Sequence, residues 1–272
     1  MHVKGRRSKR KAGSVIYRTI LVLIYTFILL PEIIVVIAAF NAGEYLTFPP
    51  QGFSIRWFVA FAHSEPFINA MLMSLRLAIF TLCITLTLGT MAAFFVVRYG
   101  GRLRGLIRVL MTAPLLFPAV ITAAALLIYY YQVTGWRNRT FIGLLMGHVL
   151  ITSPYVFLTI SSTLYNFDVS LEEAARTLGA SSLRTFAKIT MPLIKSGLIA
   201  GGMFAFIVSW GQFPISLLLA GIGLTTLPIQ LFDYVRWSFD PTAAAAAAIS
   251  ILLALIAVIV VQKLAGLESL RW

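Results

Sequence analysis

Long apolar stretches alternate along this chain with short segments rich in basic residues, proline, glycine and asparagine. A helix needs about 20 apolar residues to cross the hydrocarbon core of a bilayer. Six stretches meet that length, at residues 18–41, 67–97, 105–131, 141–165, 193–220 and 242–265. Lipid offers no partner to a bare backbone amide, and the sequence lacks the alternation of a barrel strand, so these spans must be helices. The pattern predicts an all-α, polytopic membrane protein with six transmembrane helices.

The positions of the basic residues predict how the chain is oriented in the membrane. They concentrate in the N-terminal tail, between the second and third spans, and between the fourth and fifth spans. These residues are Lys4, Arg6, Arg7, Lys9, Arg10, Lys11, Arg18, Arg98, Arg102, Arg104, Arg108, Arg176, Arg184, Lys188 and Lys195. The alternate connections hold only Arg56, Arg137, Arg139 and Arg236. By the positive-inside rule, the tail (1–17), the connection 168–192 and the C-terminus (266–272) are cytoplasmic. The six-span domain (18–265) then lies in the membrane.

The composition agrees with a membrane protein and argues against other classes. Hydrophobic residues make up 60% of the chain and charged residues 11%, whereas soluble domains carry about 25% charged residues. The net charge of +13 comes from short blocks between apolar runs, which fits membrane orientation and not nucleic-acid binding. The single Cys83 and the scattered His2, His63 and His148 lack the spacing of a metal site, so we expect no metal and no cofactor.

The connection 168–192 carries a patterned polar segment. Ser170 and Glu173 have the spacing of a capping box, in which each side chain bonds the other residue's backbone amide. Four small or apolar residues follow at i, i+3, i+4 and i+7 and share one helical face: Leu171, Ala174, Ala175 and Leu178. The pattern predicts a short helix with a low apolar ridge and with Glu172, Arg176 and Thr177 at its rim.

A glycine and a proline divide the rest of this connection. Gly179 is suited to end the first helix, because a left-handed residue there costs glycine little. Ser181 or Ser182 can cap a second short helix that runs through Lys188. Pro192 fits the first turn of the fifth span, where its missing amide is harmless.

The residues from Glu173 to Pro192 carry a recognisable pattern. They read E-A-A-x3-G-x9-I-x-L-P, with Met191 in the leucine position. This pattern resembles the cytoplasmic loop of the permease subunits of binding-protein-dependent ABC importers. Met73-Ser74-Leu75-Arg76-Leu77-Ala78 is similar to a second stretch of that family, Asn-Ser/Thr-Leu-x-x-Ala. The likeness covers nearly the whole chain and is closest to the spermidine/putrescine-type, six-span (type I) permeases.

The resemblance implies a role for the loop and a set of partners. In that family the loop forms a coupling helix that sits in a groove of the cytosolic ATPase subunit. With the ridge, the implied coupling residues are Leu171, Glu173, Ala174, Ala175, Leu178, Gly179, Ile189 and Pro192. The implied partners are a second permease subunit, two cytosolic ATP-binding subunits and an extracytoplasmic substrate-binding protein. The implied location is a bacterial inner membrane. The sequence has no G-x4-G-K-[ST] phosphate loop and no assembled catalytic residues, so we expect no enzyme activity from this chain alone.

Polar residues inside the spans are the candidates for a substrate pathway. They are Ser209, Trp210, Gln212, Glu32 and Arg76. Polyamine permeases usually carry acidic residues in the middle of the fifth span, but this chain has Gln212 and no acid there. The expected cargo is therefore a small polar solute: a polyamine, or alternatively an opine, an amino-acid-like compound or a phosphonate.

Two other classes of membrane protein require features that this sequence lacks. Gradient-driven secondary transporters are commonly built from inverted repeats, with their binding sites near the midplane of the bilayer. This sequence has no evident repeat. An intramembrane enzyme needs paired catalytic groups within the spans, and His148 has no acidic companion in its own span. The ABC importer permease remains the expected function.

Overall fold

The computed structural model of the chain describes residues 3–134 and 139–265, and the side chains of 16–133 and 139–263. Thirteen α-helices occur in these residues: α1 (Val3–Ala39), α2 (Arg56–His63), α3 (Glu65–Phe94), α4 (Arg104–Thr112), α5 (Ala119–Thr134), α6 (Phe141–Tyr165), α7 (Ser170–Thr177), α8 (Ser182–Thr185), α9 (Met191–Leu193), α10 (Lys195–Trp210), α11 (Phe213–Leu219), α12 (Leu227–Trp237) and α13 (Thr242–Ala265). The predictions for Arg137 and for the cytoplasmic C-terminus at 266–272 fall outside the described residues. No strand occurs in the described part of the chain, which contains one isolated bridge between Asn41 and Phe53.

Four helices are long and apolar enough to cross a bilayer alone. They are α1 from Ile16, α3 with its π-helical extension to Tyr99, α6, and α13. Two bent helix pairs meet the same criteria together, which gives up to six spans if each pair is one span.

The third and fifth predicted spans are each a bent pair of helices and not one straight helix. The third bends by 109° between 101–116 and 119–133. Phe117 there is extended because the ring of Pro118 disfavours a helical residue before it. The fifth bends by 67° at Ile194 and is broken again at Gly211 and Gln212, before Pro214 in the first turn of α11.

Residues 64–233 and 251–265 form one compact unit, built around α3, α6 and α10. Glycines let these helices and α11 approach one another closely. A Cβ on Gly147 would lie 2.6 Å from Leu219 Cδ1 and 2.9 Å from Ile215 Cγ2, both on α11. A Cβ on Gly89 would lie 2.7 Å from Val156 Cγ1. The contact between α6 and α11 therefore depends on the missing side chain at Gly147.

We expect Gly147→Ala to lower the thermal midpoint of the protein in detergent. The added methyl group overpacks a crowded helix contact, which costs about 1–3 kcal/mol. Gly105→Ala is the matched control, because nothing lies within 4 Å of a Cβ there and alanine is the better helix former. A fluorescent size-exclusion assay after heating measures both variants. Equal midpoints for Gly147→Ala and Gly105→Ala would contradict the packing account.

Residues up to 63 and 234–250 form a second unit. Small residues at the end of α1 and the start of α13 pack together: Ala38, Ala39, Ala244, Ala245 and Ala248. The buried Asn41 stabilises the loop after α1, since its Oδ1 accepts hydrogen bonds from the amides of Gly43 (3.0 Å) and Gln51 (2.9 Å). Glu32 is exposed on α1 of this unit.

Candidate coupling site and pathway residues

Helix α7 is capped at its start by Asp168. The Ser170 amide donates to Asp168 Oδ1 at 2.9 Å, and this bond holds the pKa of Asp168 below its usual value. Ser170 is itself the first helical residue, and the N-cap position belongs to Val169. The predicted capping box of Ser170 and Glu173 is therefore wrong, because an acceptor two residues earlier already satisfies the amide of Ser170.

The C-terminus of α7 has the left-handed turn expected at Gly179. Gly179 has φ of +85°, and its amide donates to the Arg176 carbonyl at 2.9 Å. The Ala180 amide donates to the Ala175 carbonyl at 3.0 Å. These two bonds form a Schellman motif, which satisfies carbonyls that the helix end would leave open. Residues 178–181 connect α7 to α8 without helical structure.

The predicted apolar ridge lies on the surface of the protein. Leu171 is 47% exposed and Leu178 is 89% exposed. Ala174 is exposed between them, and Ala175 is half-buried. Glu173 is also exposed beside the ridge. In the described part of the chain, this face of α7 is open to a partner.

A second face of α7 is held to the rest of the protein by Glu172. Glu172 is 8% exposed, and its Oε1 accepts a hydrogen bond from Thr190 Oγ1 at 2.8 Å. The same oxygen lies 3.6 Å from Nη2 of Arg98, in the π-helical turn that ends α3. The prediction of Glu172 at the exposed rim was wrong, because this side chain is buried against Arg98 and Thr190. We call Arg98, Glu172 and Thr190 the anchor.

The second half of the loop leads from the anchor into the fifth span. Ser181 caps α8 by accepting from the Arg184 amide at 3.4 Å. The half-buried Ile189 lies in the π-helical turn Phe186–Thr190. Pro192 is exposed and lies in the short helix α9, not in the long helix of the fifth span as expected. The bend at Ile194 separates the two.

The fifth-span candidates for the pathway are mostly inside the protein. Ser209 is 4% exposed and Trp210 is 5% exposed. Ser209 Oγ lies 2.9 Å from Nδ1 of His148, whose Nε2 lies 3.0 Å from Ser216 Oγ. Gln212 is half-buried at the break between α10 and α11, where its carbonyl accepts from Ser216 Oγ at 2.7 Å. His148 therefore bridges α10 and α11 across the break between them. Its isolated position in the sequence did not indicate this role.

Arg76 occupies a different environment from these buried residues. It is exposed and lines a cavity of about 480 Å³ together with Asn69, Thr225 and Gln230. Its guanidinium Cζ lies 4.7 Å from the centroid of the Phe141 ring. Among the described residues, no group of three His, Cys, Asp or Glu side chains could hold a metal ion.

Comparison with known proteins identifies the family. A sequence profile described as "Binding-protein-dependent transport system inner membrane component" matches residues 85–266. The chain is 36% identical over 228 residues to the putrescine transport system permease protein PotI of Escherichia coli (strain K12), covering 82% of this chain and 80% of PotI. It is 30% identical over 240 residues to the spermidine/putrescine transport system permease protein PotC of Haemophilus influenzae, covering 88% of this chain and 92% of PotC.

Solved structures show the same fold. A chain from the crystal structure of a bacterial ABC transporter involved in the import of the acidic polysaccharide alginate superposes with a TM-score of 0.68 at 17% identity, over 98% of both chains. The expected all-α, type I permease fold is confirmed. Together with the profile match over most of the chain, these likenesses lead to one conclusion: the protein belongs to the family of inner membrane components of binding-protein-dependent ABC transport systems.

Proposed function

We propose that this permease subunit forms half of a translocation pathway and couples ATP hydrolysis by a separate ATPase subunit to the uptake of a small polar solute. The observation that carries this proposal is the geometry of α7. The exposed ridge of Leu171 and Leu178 is open on one side, and the buried anchor of Glu172 holds the other side to the end of α3. A short helix built this way can bind a partner and pass on its motion.

The ridge supplies the binding energy and the anchor supplies the connection. Full burial of one leucine side chain is worth about 1.5–3 kcal/mol, so two leucines with the alanines between them suit a shallow groove. The Schellman turn at Gly179 fixes where the ridge ends. When the ATPase subunits close on ATP, α7 moves with them, and the anchor passes that movement to α3. ATP and the loaded binding protein then bias an equilibrium between inward-open and outward-open states.

The proposed assembly contains two permease subunits, two ATPase subunits and one external binding protein. The chain pairs with a second copy of itself or with a related permease. The distribution of the basic segments supports a cytoplasmic position for both termini and for α7. In that orientation the loop before α12 and the start of α3 face the binding protein.

Polyamine is the first candidate substrate class, supported by the names of the two relatives. A solute with an acidic group, such as an opine, an amino-acid-like compound or a phosphonate, is the second. Two observations favour the second class. Gln212 stands where polyamine permeases usually carry an acid, and Arg76 is the charged residue that lines the cavity.

Reconstitution into proteoliposomes with the cognate ATPase and binding protein tests the function. We expect uptake that requires ATP and the loaded binding protein, and that stops when the ATPase carries a phosphate-loop lysine substitution. Uptake driven by a proton or sodium gradient without the ATPase would contradict the proposal and support a secondary transporter.

A further inference from the structure

The cavity lined by Arg76 is built between α3 and the segment that leads into α12. Its volume of about 480 Å³ lies in the range of small-molecule sites, about 300–1,000 Å³. Its polar lining consists of Asn69, Arg76, Thr225 and Gln230. The start of α12 is bonded to α3 beside the cavity, since the buried Ser74 on α3 accepts a hydrogen bond from the Leu227 amide at 2.8 Å. This hydrogen bond holds the segment before α12 against α3 beside the cavity.

Arg76 is the charged group in this cavity, and its N–H donors need an acceptor. In the described residues the guanidinium donates no hydrogen bond and has no carboxylate at ion-pair distance. Its contact is with the Phe141 ring, which packs edge-on against Phe80 at 5.8 Å between centroids. An aromatic ring orients a guanidinium but offers no lone pair to its N–H groups. A charged residue on a membrane-spanning helix marks a functional site by default.

The charges near the cavity leave its interior positive. None of its lining residues is acidic. The acidic residues one turn away on the same two helices, Glu65 and Asp233, are exposed and do not line it. An ammonium group would be repelled by Arg76, whereas an anion would gain both Coulomb energy and hydrogen bonds.

We propose that this cavity receives an anionic group of the transported solute, a carboxylate or a phosphonate, with Arg76 as its counter-ion. The planar guanidinium presents paired N–H donors that match two oxygens of such a group. The side-chain amides of Asn69 and Gln230 flank it as further donors. The solute is then an amino-acid-like compound, an opine or an aminophosphonate, and not a simple polyamine. The inference rests on the proposed function, because it concerns the cargo of that importer.

The test is uptake by the reconstituted transporter with its cognate ATPase and binding protein. The probes are labelled 2-aminoethylphosphonate, octopine and putrescine. The variants are Arg76→Gln, Arg76→Lys and the control Arg56→Gln, which alters an exposed arginine outside the cavity. We expect the wild type to carry an acidic probe, and Arg76→Gln to reduce that uptake at least about tenfold through loss of a charge-assisted hydrogen bond. Uptake by Arg76→Lys should lie between that of Arg76→Gln and the wild type, because lysine keeps the charge but loses the paired N–H donors.

Several results would overturn the inference. They are a wild type that carries neither acidic probe, an Arg76→Gln variant that carries them as well as the wild type does, and a loss in Arg76→Gln that comes with a lowered thermal midpoint. The proposed function is tested separately in the same vesicles, by stimulation of ATP hydrolysis by the loaded binding protein. Putrescine uptake with stimulated hydrolysis would refute the acidic cargo and leave the importer function intact.

Discussion

Arg98→Glu alone and Glu172→Arg alone are each expected to abolish ATP-driven uptake, and their combination to restore it in large part. Each single variant places two like charges side by side in the nearly buried anchor. Loss of one partner of a buried ion pair costs on the order of 3 kcal/mol, and helix α7 would then separate from the end of α3. The double variant re-forms the pair with its charges exchanged, although it loses the hydrogen bond from Thr190 to Glu172.

Arg102→Glu is the matched control for these variants. It removes the same positive charge from the same predicted cytoplasmic segment, but Arg102 is exposed. Uptake is measured per molecule of permease in the membrane, beside ATP hydrolysis per solute transported. Wild-type uptake by Arg98→Glu, or a double variant no better than either single one, would contradict the role of the anchor.

Gly179→Val is expected to abolish both uptake and ATPase association while leaving the protein in the membrane. A β-branched residue at φ of +85° is strained. No atom lies within 4 Å of a Cβ at this position, so the damage comes from the backbone and not from a collision. The Schellman turn then opens, and Leu178 moves away from the position that the ridge requires.

Gly179→Asn separates backbone strain from the mere presence of a side chain. Asparagine tolerates the left-handed conformation better than other non-glycine residues, so this variant should keep a large part of the uptake. Co-purification of the ATPase subunit and uptake in vesicles measure both variants. Equal activity of Gly179→Val and Gly179→Asn would show that the left-handed turn does not matter for coupling.

Sequence patterning predicted the features that depend on neighbouring residues. Apolar runs of sufficient length gave the long helices α3, α6 and α13, because lipid leaves a backbone no alternative to the helix. The ridge from Leu171 to Leu178 followed from helical spacing, and the turn at Gly179 followed from the low cost of glycine in that conformation. Their exposure and geometry agree with the expectation.

Features that depend on distant residues were missed. The helical periodicity of α7 predicts Glu172 at the rim, because it carries no information about Arg98 at the end of α3. The position of Arg98, a charge at the end of an apolar run, is a sequence signal for such a contact. His148 has no polar partner near it in the sequence, because its partners Ser209 and Ser216 lie 61 and 68 residues away. The bend before α5 could have been foreseen, since Pro118 interrupts the third apolar run.

Site-directed photo-crosslinking from the ridge of α7 tests the central claim most directly. A photoreactive amino acid is placed at Leu178, which is 89% exposed. The control carries it at Ile222, an exposed residue in the loop before α12, on the predicted opposite side of the membrane. We predict a crosslink to the cytosolic ATPase subunit from position 178 and none from position 222. An assembled transporter that gives no ATPase crosslink from position 178, or gives one from position 222, would contradict the account.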